Sequence, residues 1–128
     1  MPHKTIHTDL APKVIGPYSQ AVIAGEWVFL SGQIPLDPNT QQLVSGPFDI
    51  QAKRVLDNIN AVLGAAGCGM FDIVKTTVYL TDLANFPAFN EVYERYFRTP
   101  YPARSTMQVA ALPKGAVIEI DVVARKAS

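Results

Sequence analysis

The chain has 128 residues and a mass of 13.9 kDa, which suits a single domain spanning residues 1–128. With 48% hydrophobic and 17% charged residues, its composition predicts a globular chain with a buried core, and its apolar runs are too short to cross a membrane. Lys plus Arg and Asp plus Glu both number 11, so the formal charge is zero, and the lack of a basic run argues against a nucleic-acid partner.

The cysteine and histidine content limits the chemistry of the chain. Its one cysteine, Cys68, excludes an intramolecular disulfide, and residues 1–13 lack the apolar stretch of a signal peptide, so we expect a cytoplasmic protein. We interpret Cys68 as a small buried residue after a helix rather than as a catalytic thiol. His3 and His7 are the only histidines and leave too few ligands for a zinc site, so we expect neither a metal nor a cofactor.

Three strands are predicted at the start of the chain. Residues 4–8 can form the first of them. Residues 20–24 and 27–30 flank Gly25 and Glu26, a pair typical of a tight hairpin because glycine accepts positive φ. The second and third strands are therefore expected to pair in an antiparallel manner.

Two amphipathic helices are predicted. Between residues 50 and 66 the apolar side chains recur every three or four residues, with Asp49 as the predicted N-cap and Gly67 as the predicted end. The second helix is expected to open with Asn85 as its cap and Pro87 in its first turn. We assign the apolar stripe of this second helix to the core rather than to a cofactor site. The stripe consists of Phe89, Val92, Tyr93, Tyr96 and Phe97.

Three further strands complete the predicted sheet. Residues 73–80 are rich in β-branched side chains and predict a central strand, and residues 105–109 and 117–124 follow the second helix. The order β-β-β-α-β-α-β-β predicts an α+β fold with a single-layer sheet and both helices on one face. The opposite face would then expose apolar side chains, so we expect the chain to self-associate.

Strand alternation places the two side chains best suited to catalysis. Glu119 shares a face of the last strand with Asp121, whereas Arg104 shares a face of the preceding strand with Thr106 and Gln108. These two polar sets could meet across the sheet or across an interface. Arginine can clamp a substrate carboxylate through two parallel hydrogen bonds, and a partly desolvated glutamate can activate water. The same pair could instead form an ion pair that fixes subunit register.

Four segments of the sequence favour a ligand site over a structural ion pair. They are Gly16-Pro17-Tyr18-Ser19-Gln20, Ser31-Gly32-Gln33-Ile34-Pro35, Pro102-Ala103-Arg104 and Ile118-Glu119-Ile120. Each alone is explained by a turn or a strand. Together and in this order, they make the chain resemble the RidA (YjgF) family of enamine/imine deaminases, from about residue 11 to residue 124.

This resemblance implies a chorismate-mutase-like fold of the bacillus type, assembled as a homotrimer with pockets between the subunits. It implies that Arg104 binds the substrate carboxylate and that Glu119 positions or activates water. Where several bacterial members have a cysteine, this chain has Thr106, which excludes a thiol nucleophile there but leaves a hydroxyl that could donate a hydrogen bond. The substrate-binding residues implied are Tyr18, Ser31, Gly32 (through its backbone N–H), Asn90 and Thr106.

The activity implied by the resemblance is metal-free hydrolysis of 2-aminoacrylate, 2-iminopropanoate and 2-iminobutanoate to 2-keto acids and ammonia. Such an enzyme would remove reactive intermediates released by pyridoxal-phosphate-dependent lyases. The alternative is a non-catalytic module that binds 2-keto acids at the same pocket. The ribonuclease or translation-inhibitor activity reported for some family members fits poorly with zero net charge, and the expected partners are a small imine and further copies of the chain.

Overall fold

The computed structural model describes residues 3–126, which form one sheet and two helices. The sheet contains six strands in chain order. They are β1 (Lys4–Ile6), β2 (Ala21–Ala24), β3 (Trp27–Gln33), β4 (Ile73–Leu80), β5 (Ala103–Gln108) and β6 (Ile118–Arg125). Helix α1 (Phe48–Ala65) lies between β3 and β4, and α2 (Phe86–Tyr96) lies between β4 and β5. This succession confirms the predicted order of elements.

The sheet is mixed, with the spatial order β1-β2-β3-β6-β4-β5. All neighbouring strands are antiparallel except β4 and β5, which run parallel because α2 carries the chain back across the sheet between them. The predicted hairpin joins β2 to β3, and Gly25 has a φ of 63° in its turn. Strand β4 lies inside the sheet between β6 and β5, as its β-branched sequence predicts.

Both helices pack on the same face of the sheet and bury one continuous core. Alternate residues of β3, β4 and β6 point toward the helices, which is the pattern expected of a half-covered sheet. The largest fully buried apolar side chains are Phe89, Leu56, Ile59, Leu63, Leu80, Ile118 and Ile120. The α+β class and the placement of both helices on one face are therefore confirmed.

The ends of several elements differ from the sequence prediction. Helix α1 begins at Phe48, with Pro47 in the N-cap position, so the predicted cap Asp49 lies inside the first turn, where its charge still complements the helix dipole. Gly67 does follow the end of α1 and has a φ of 82°, as a helix stop requires. Phe97 lies just beyond the end of α2 but remains in the core. Asn85 is the N-cap of α2 by position, although its side chain makes no capping hydrogen bond.

The face of the sheet away from the helices is open. Trp27 is 41% exposed and Phe29 is 44% exposed on β3, and Met107 is exposed on β5. Polar side chains also lie on this face, where Lys75 donates a hydrogen bond to the Ser105 hydroxyl at 2.9 Å. The exposed apolar side chains on this face agree with the sequence prediction. Among residues 3–126, no helix is both long enough and apolar enough to span a membrane.

Candidate functional site

A cavity of about 520 Å³ lies beside the junction of β3 and β6. It brings together four residues that the sequence analysis assigned to the site: Tyr18, Ser31, Gly32 and Glu119. The rest of the wall is mainly apolar and includes Val14, Ile15, Ile34, Leu36 and Pro113. A carboxylate among apolar walls is an arrangement typical of small-molecule sites.

Gly32 and Glu119 are in direct contact because the sheet is irregular at this point. The register of β3 against β6 shifts between Leu30 and Gln33, which leaves Gly32 in the irregular segment with the Glu119 side chain folded over it. A Cβ atom placed on Gly32 would lie 1.9 Å from Oε2 of Glu119. The carboxylate can therefore occupy this position only above a glycine.

Burial raises the pKa of Glu119, and the negative charge of Asp121 raises it further. Asp121 is half-buried on the same face and accepts a hydrogen bond from the Tyr79 hydroxyl at 3.1 Å. Tyr79 lies directly opposite Glu119 in the neighbouring strand. A carboxyl group with a raised pKa can exchange protons near neutral pH more readily than an exposed glutamate.

The segment that carries Tyr18 is held against β3 by Ser31. The Ser31 hydroxyl donates to the backbone oxygen of Ser19 at 2.5 Å, and the Ser31 N–H donates to the oxygen of Gln20 at 3.0 Å. Tyr18 itself is 54% exposed beside the cavity. In this structure Ser31 orders the wall of the cavity, and its predicted contact with substrate stays a prediction.

Two buried amides position the cavity walls, and neither was predicted from the sequence to be part of the site. Gln20 bridges the preceding loop, accepting from the Thr8 N–H at 2.7 Å and donating to the Pro12 oxygen at 2.9 Å. Asn58 on α1 donates to the Leu36 oxygen at 2.9 Å, which ties the segment after Gly32 to the helix. The sequence signal that could have revealed Asn58 is a polar residue at helical spacing within the apolar stripe of α1, three residues after Val55 and four before Val62.

Arg104 forms a second half of the site, beneath α2. Its Nη1 donates to Oδ1 of Asn90 at 2.9 Å, and its Cζ lies 4.9 Å from the centre of the Tyr93 ring. The Phe86 and Phe89 rings are also close, at 5.3 and 5.7 Å. A cavity of about 340 Å³ opens here, lined in part by Asn90, Tyr93 and Arg104.

Asn90 and Thr106 were predicted to bind substrate, and both lie on the Arg104 side of the sheet. Asn90 uses its carbonyl oxygen to hold the arginine. The Thr106 hydroxyl oxygen is buried and has no hydrogen-bond partner in the part of the chain that the structure describes. A buried hydroxyl without a hydrogen-bond partner is energetically unfavourable. A ligand that reached this oxygen through a rearranged pocket could supply the missing hydrogen bond. The predicted roles of both residues stay predictions.

The two halves of the site lie on opposite faces of the sheet. Arg104 pairs with Thr76 of β4, which points toward α2, whereas Glu119 pairs with Tyr79, which points to the open face. Within residues 3–126, Arg104 and Glu119 form no hydrogen bond or ion pair with each other. Strand alternation left open whether Arg104 and Glu119 meet across the sheet or across an interface. The structure excludes a meeting of Arg104 and Glu119 across the sheet of one chain.

Each half of the site has a distinct chemical character. The arginine half can bind an anion, and the glutamate half can exchange a proton beside a cavity. In the described part of the chain, no three side chains of the His, Cys, Asp and Glu types are grouped so that they could hold a metal ion.

A mixed six-stranded sheet with two helices on one face places the protein in the chorismate-mutase-like α+β class. Comparison with known proteins specifies the family. The family described as Endoribonuclease L-PSP matches residues 8–126, and the chain belongs to this family, which is also called RidA/YjgF. The resemblance stated from the sequence motifs is therefore confirmed.

Individual relatives are similar over almost their whole length. Protein DfrA of Myxococcus xanthus is 55% identical over 126 residues, which is 97% of this chain and 96% of that protein. The human 2-iminobutanoate/2-iminopropanoate deaminase is 50% identical over 121 residues, covering 94% of this chain and 88% of the human protein. The crystal structure of RidA from an Antarctic Psychrobacter is 49% identical and superimposes with a TM-score of 0.92, covering 95% and 98% of the two chains.

Proposed function

We propose that the protein is a metal-free deaminase that hydrolyses small 2-imino acids and their enamine tautomers to 2-keto acids and ammonia. The observation that carries the proposal is the partly desolvated Glu119, with its raised pKa, beside an apolar cavity. Arg104 supplies a cation for the substrate carboxylate, and mammalian relatives at about 50% identity are named as 2-iminobutanoate/2-iminopropanoate deaminases. The expected cytoplasmic location is part of this proposal.

The proposed reaction needs one proton shuttle and one anion clamp. The Arg104 guanidinium binds the substrate carboxylate and so fixes the neighbouring imine carbon. Glu119 takes a proton from water as the water oxygen bonds to that carbon, and the electron pair of the C=N bond moves to the nitrogen. The carboxyl group delivers this proton to the nitrogen, which gives a carbinolamine. Glu119 then accepts the proton of the carbinolamine hydroxyl and passes it to the nitrogen, so that the C=O bond of the keto acid forms as the C–N bond breaks and ammonia leaves.

The proposal requires a second copy of the chain, because one chain holds the clamp and the base on opposite faces of its sheet. A homotrimer, in which the half-site of each subunit meets the complementary half-site of its neighbour, would give three complete sites. The exposed Trp27, Phe29 and Met107 on the open face support burial of that face by another subunit.

The first test is an activity assay on the purified protein. A serine or threonine dehydratase generates 2-aminoacrylate in situ, and keto acid and ammonia are measured against the spontaneous rate. We expect acceleration by the wild-type protein and its loss in Arg104→Ala, while the surface variant Arg95→Ala on α2 keeps the activity. No acceleration with imines of several side chains would refute the proposed function.

A subunit-mixing experiment tests the shared site separately. Arg104→Ala and Glu119→Gln should each be inactive alone, because each lacks one half of every site. When they are co-refolded in equal amounts, about a quarter of the interfaces in a cyclic oligomer regain both residues, so about a quarter of the wild-type activity should return. If mixed oligomers form and no activity returns, the two halves do not combine across subunits.

The alternative function is a module that binds 2-keto acids without turnover. Glu119→Gln separates the two possibilities, since it should abolish deamination and leave keto-acid binding at Arg104 intact. A wild-type protein that binds 2-ketobutanoate in calorimetry but releases no ammonia from any imine would favour the binding module.

A further inference from the structure

Helix α2 places four side chains around the Arg104 guanidinium at a spacing that follows the helix turn. Phe86, Phe89, Asn90 and Tyr93 are three, four and seven residues apart, so they share one stripe of the helix. Of these side chains, Phe89 and Tyr93 were assigned to the core from the sequence, and Phe86 was not. The structure shows that the three rings of this stripe lie within 6 Å of the Arg104 guanidinium carbon.

We propose that these three rings, here called the aromatic cradle (Phe86, Phe89 and Tyr93), position Arg104 for carboxylate binding. The cradle holds the guanidinium by cation–π attraction and limits it to one orientation. This inference rests on the proposed function, because it assigns Arg104 to the substrate carboxylate. Tyr93 is the chief positioning residue, since its ring is the closest of the three to the guanidinium.

Tyr93 can act as a rigid support because it is itself fixed on several sides. Its hydroxyl shares a hydrogen bond of 2.9 Å with the Thr76 hydroxyl, and both residues are buried. The Phe97 ring stacks on Tyr93 with centroids 4.3 Å apart and an interplanar angle of 27°. Phe89 packs against it from within the helix, with centroids 5.3 Å apart. A ring held in this way loses little further freedom when the arginine binds an anion.

The hydrogen bonds of Arg104 leave part of its planar fork free. Nη1 is engaged by Asn90, whereas Nη2 and Nε have no acceptor among residues 3–126. Two N–H groups on these atoms can therefore meet the two oxygens of a carboxylate in the bidentate geometry that arginine favours. A lysine would lack both the planar contact with the rings and the paired donors. The cradle and the free donors thus favour an arginine over a lysine at this position.

The test compares two ligands that differ only in charge at the clamped end. Binding of 2-ketobutanoate and of its neutral amide, 2-ketobutanamide, is measured by calorimetry on wild-type protein, Tyr93→Leu and Tyr93→Phe. Tyr93→Leu removes the ring and should weaken keto-acid binding about tenfold, the order expected for a lost cation–π contact in a partly desolvated site. Tyr93→Phe keeps the ring, so it should bind the keto acid within about twofold of the wild type, and the amide should be insensitive to both changes.

Several results would overturn the inference. Equal weakening of acid and amide in Tyr93→Leu would mean that the substitution merely disturbs the fold, and unchanged acid binding would mean that the ring does not act on Arg104. If Tyr93→Leu does not fold, the half-buried Phe86→Leu at the start of α2 provides the same comparison. The binding assay does not depend on turnover. Intact carboxylate binding without deamination would refute the proposed function alone, whereas wild-type protein that does not bind 2-ketobutanoate would overturn the cradle's role.

Discussion

Gly32→Ala is a small substitution that should act on Glu119, the proposed base, alone. The added Cβ would lie 1.9 Å from Oε2, 2.9 Å from Cδ and 3.1 Å from Cγ of Glu119. Gly32 does not have a positive φ, so alanine fits its backbone without strain. The carboxylate must therefore rotate away from the cavity wall while the sheet stays in place.

The magnitudes predict a clear separation between stability and activity. Holding a glutamate side chain about 30° away from a staggered rotamer costs about 0.5–1.5 kcal/mol. A general acid–base group contributes about 10²- to 10⁴-fold to a rate, so displacing Glu119 should lower kcat at least about 100-fold. Gly32→Ala should then be as inactive as Glu119→Gln in the deaminase assay. Its midpoint temperature of thermal unfolding should stay within a few degrees of that of the wild type.

Gly64 provides the matched control for this substitution. It lies in α1, and a Cβ added there meets no atom within 4 Å. Gly64→Ala should leave kcat unchanged and stabilise the protein by about 0.5–1 kcal/mol, because alanine is the better helix former. If Gly32→Ala retained more than half of the wild-type kcat, Glu119 could not act from the position seen here.

Three further substitutions test the environment of the site. Asp121→Asn removes the negative charge that raises the pKa of Glu119, so the acid limb of the kcat/KM profile should move to lower pH; a limb that stays in place would contradict this assignment. Thr106→Val removes a buried hydroxyl without a partner and should raise the free energy of unfolding by about 1 kcal/mol in urea titrations, whereas a loss of stability would mean that the hydroxyl is paired. Asn58→Ala leaves buried carbonyl oxygens unpaired, so it should lower the free energy of unfolding by about 1–3 kcal/mol and raise KM. The control Asn60→Ala, at an exposed position of the same helix, should change the free energy of unfolding by less than about 0.5 kcal/mol.

The effect of pH on stability follows from the same shift at Glu119. Its pKa in the folded protein is raised, so the stabilising contribution of protonated Glu119 is complete below the pKa of the unfolded chain and is lost as pH rises through the folded pKa. Glu119→Gln should therefore gain stability relative to the wild type as pH rises through this window. A difference between the two proteins that is constant with pH would show that burial does not perturb this carboxyl group.

The elements of the fold were predictable because local patterns determine them. The β-branched run of β4 was located to the residue, and Gly25 and Gly67 mark turns that require positive φ. The end of β3 was predicted too early, at Leu30 rather than Gln33. The polar and small residues Ser31 and Gly32 interrupt the apolar alternation there, and the strand extends past them because Gln33 pairs with Ile120 of β6.

The spatial arrangement of the candidate site was harder to predict than the strands and helices that carry it. Alternation within a strand gave the relative faces of neighbouring residues correctly, but it could not relate Arg104 to Glu119. Their faces depend on the register of both strands against β4, which is a property of tertiary structure. Local pattern likewise gave no sign that Tyr93 serves Arg104 as well as the core, because both roles require the same large apolar side chain on the same helix face.

The separation of Arg104 and Glu119 within one chain is consistent with the chemistry that we propose. A guanidinium beside Glu119 in the free chain would lower the pKa of that carboxyl group and oppose the effect of burial. It would also occupy the donors that the substrate carboxylate needs. With the arginine on the helix face, the pKa of Glu119 stays raised by burial and by Asp121. In a complete site between subunits, the carboxylate of the substrate would neutralise the arginine, so clamp and base could act on one small molecule without neutralising each other.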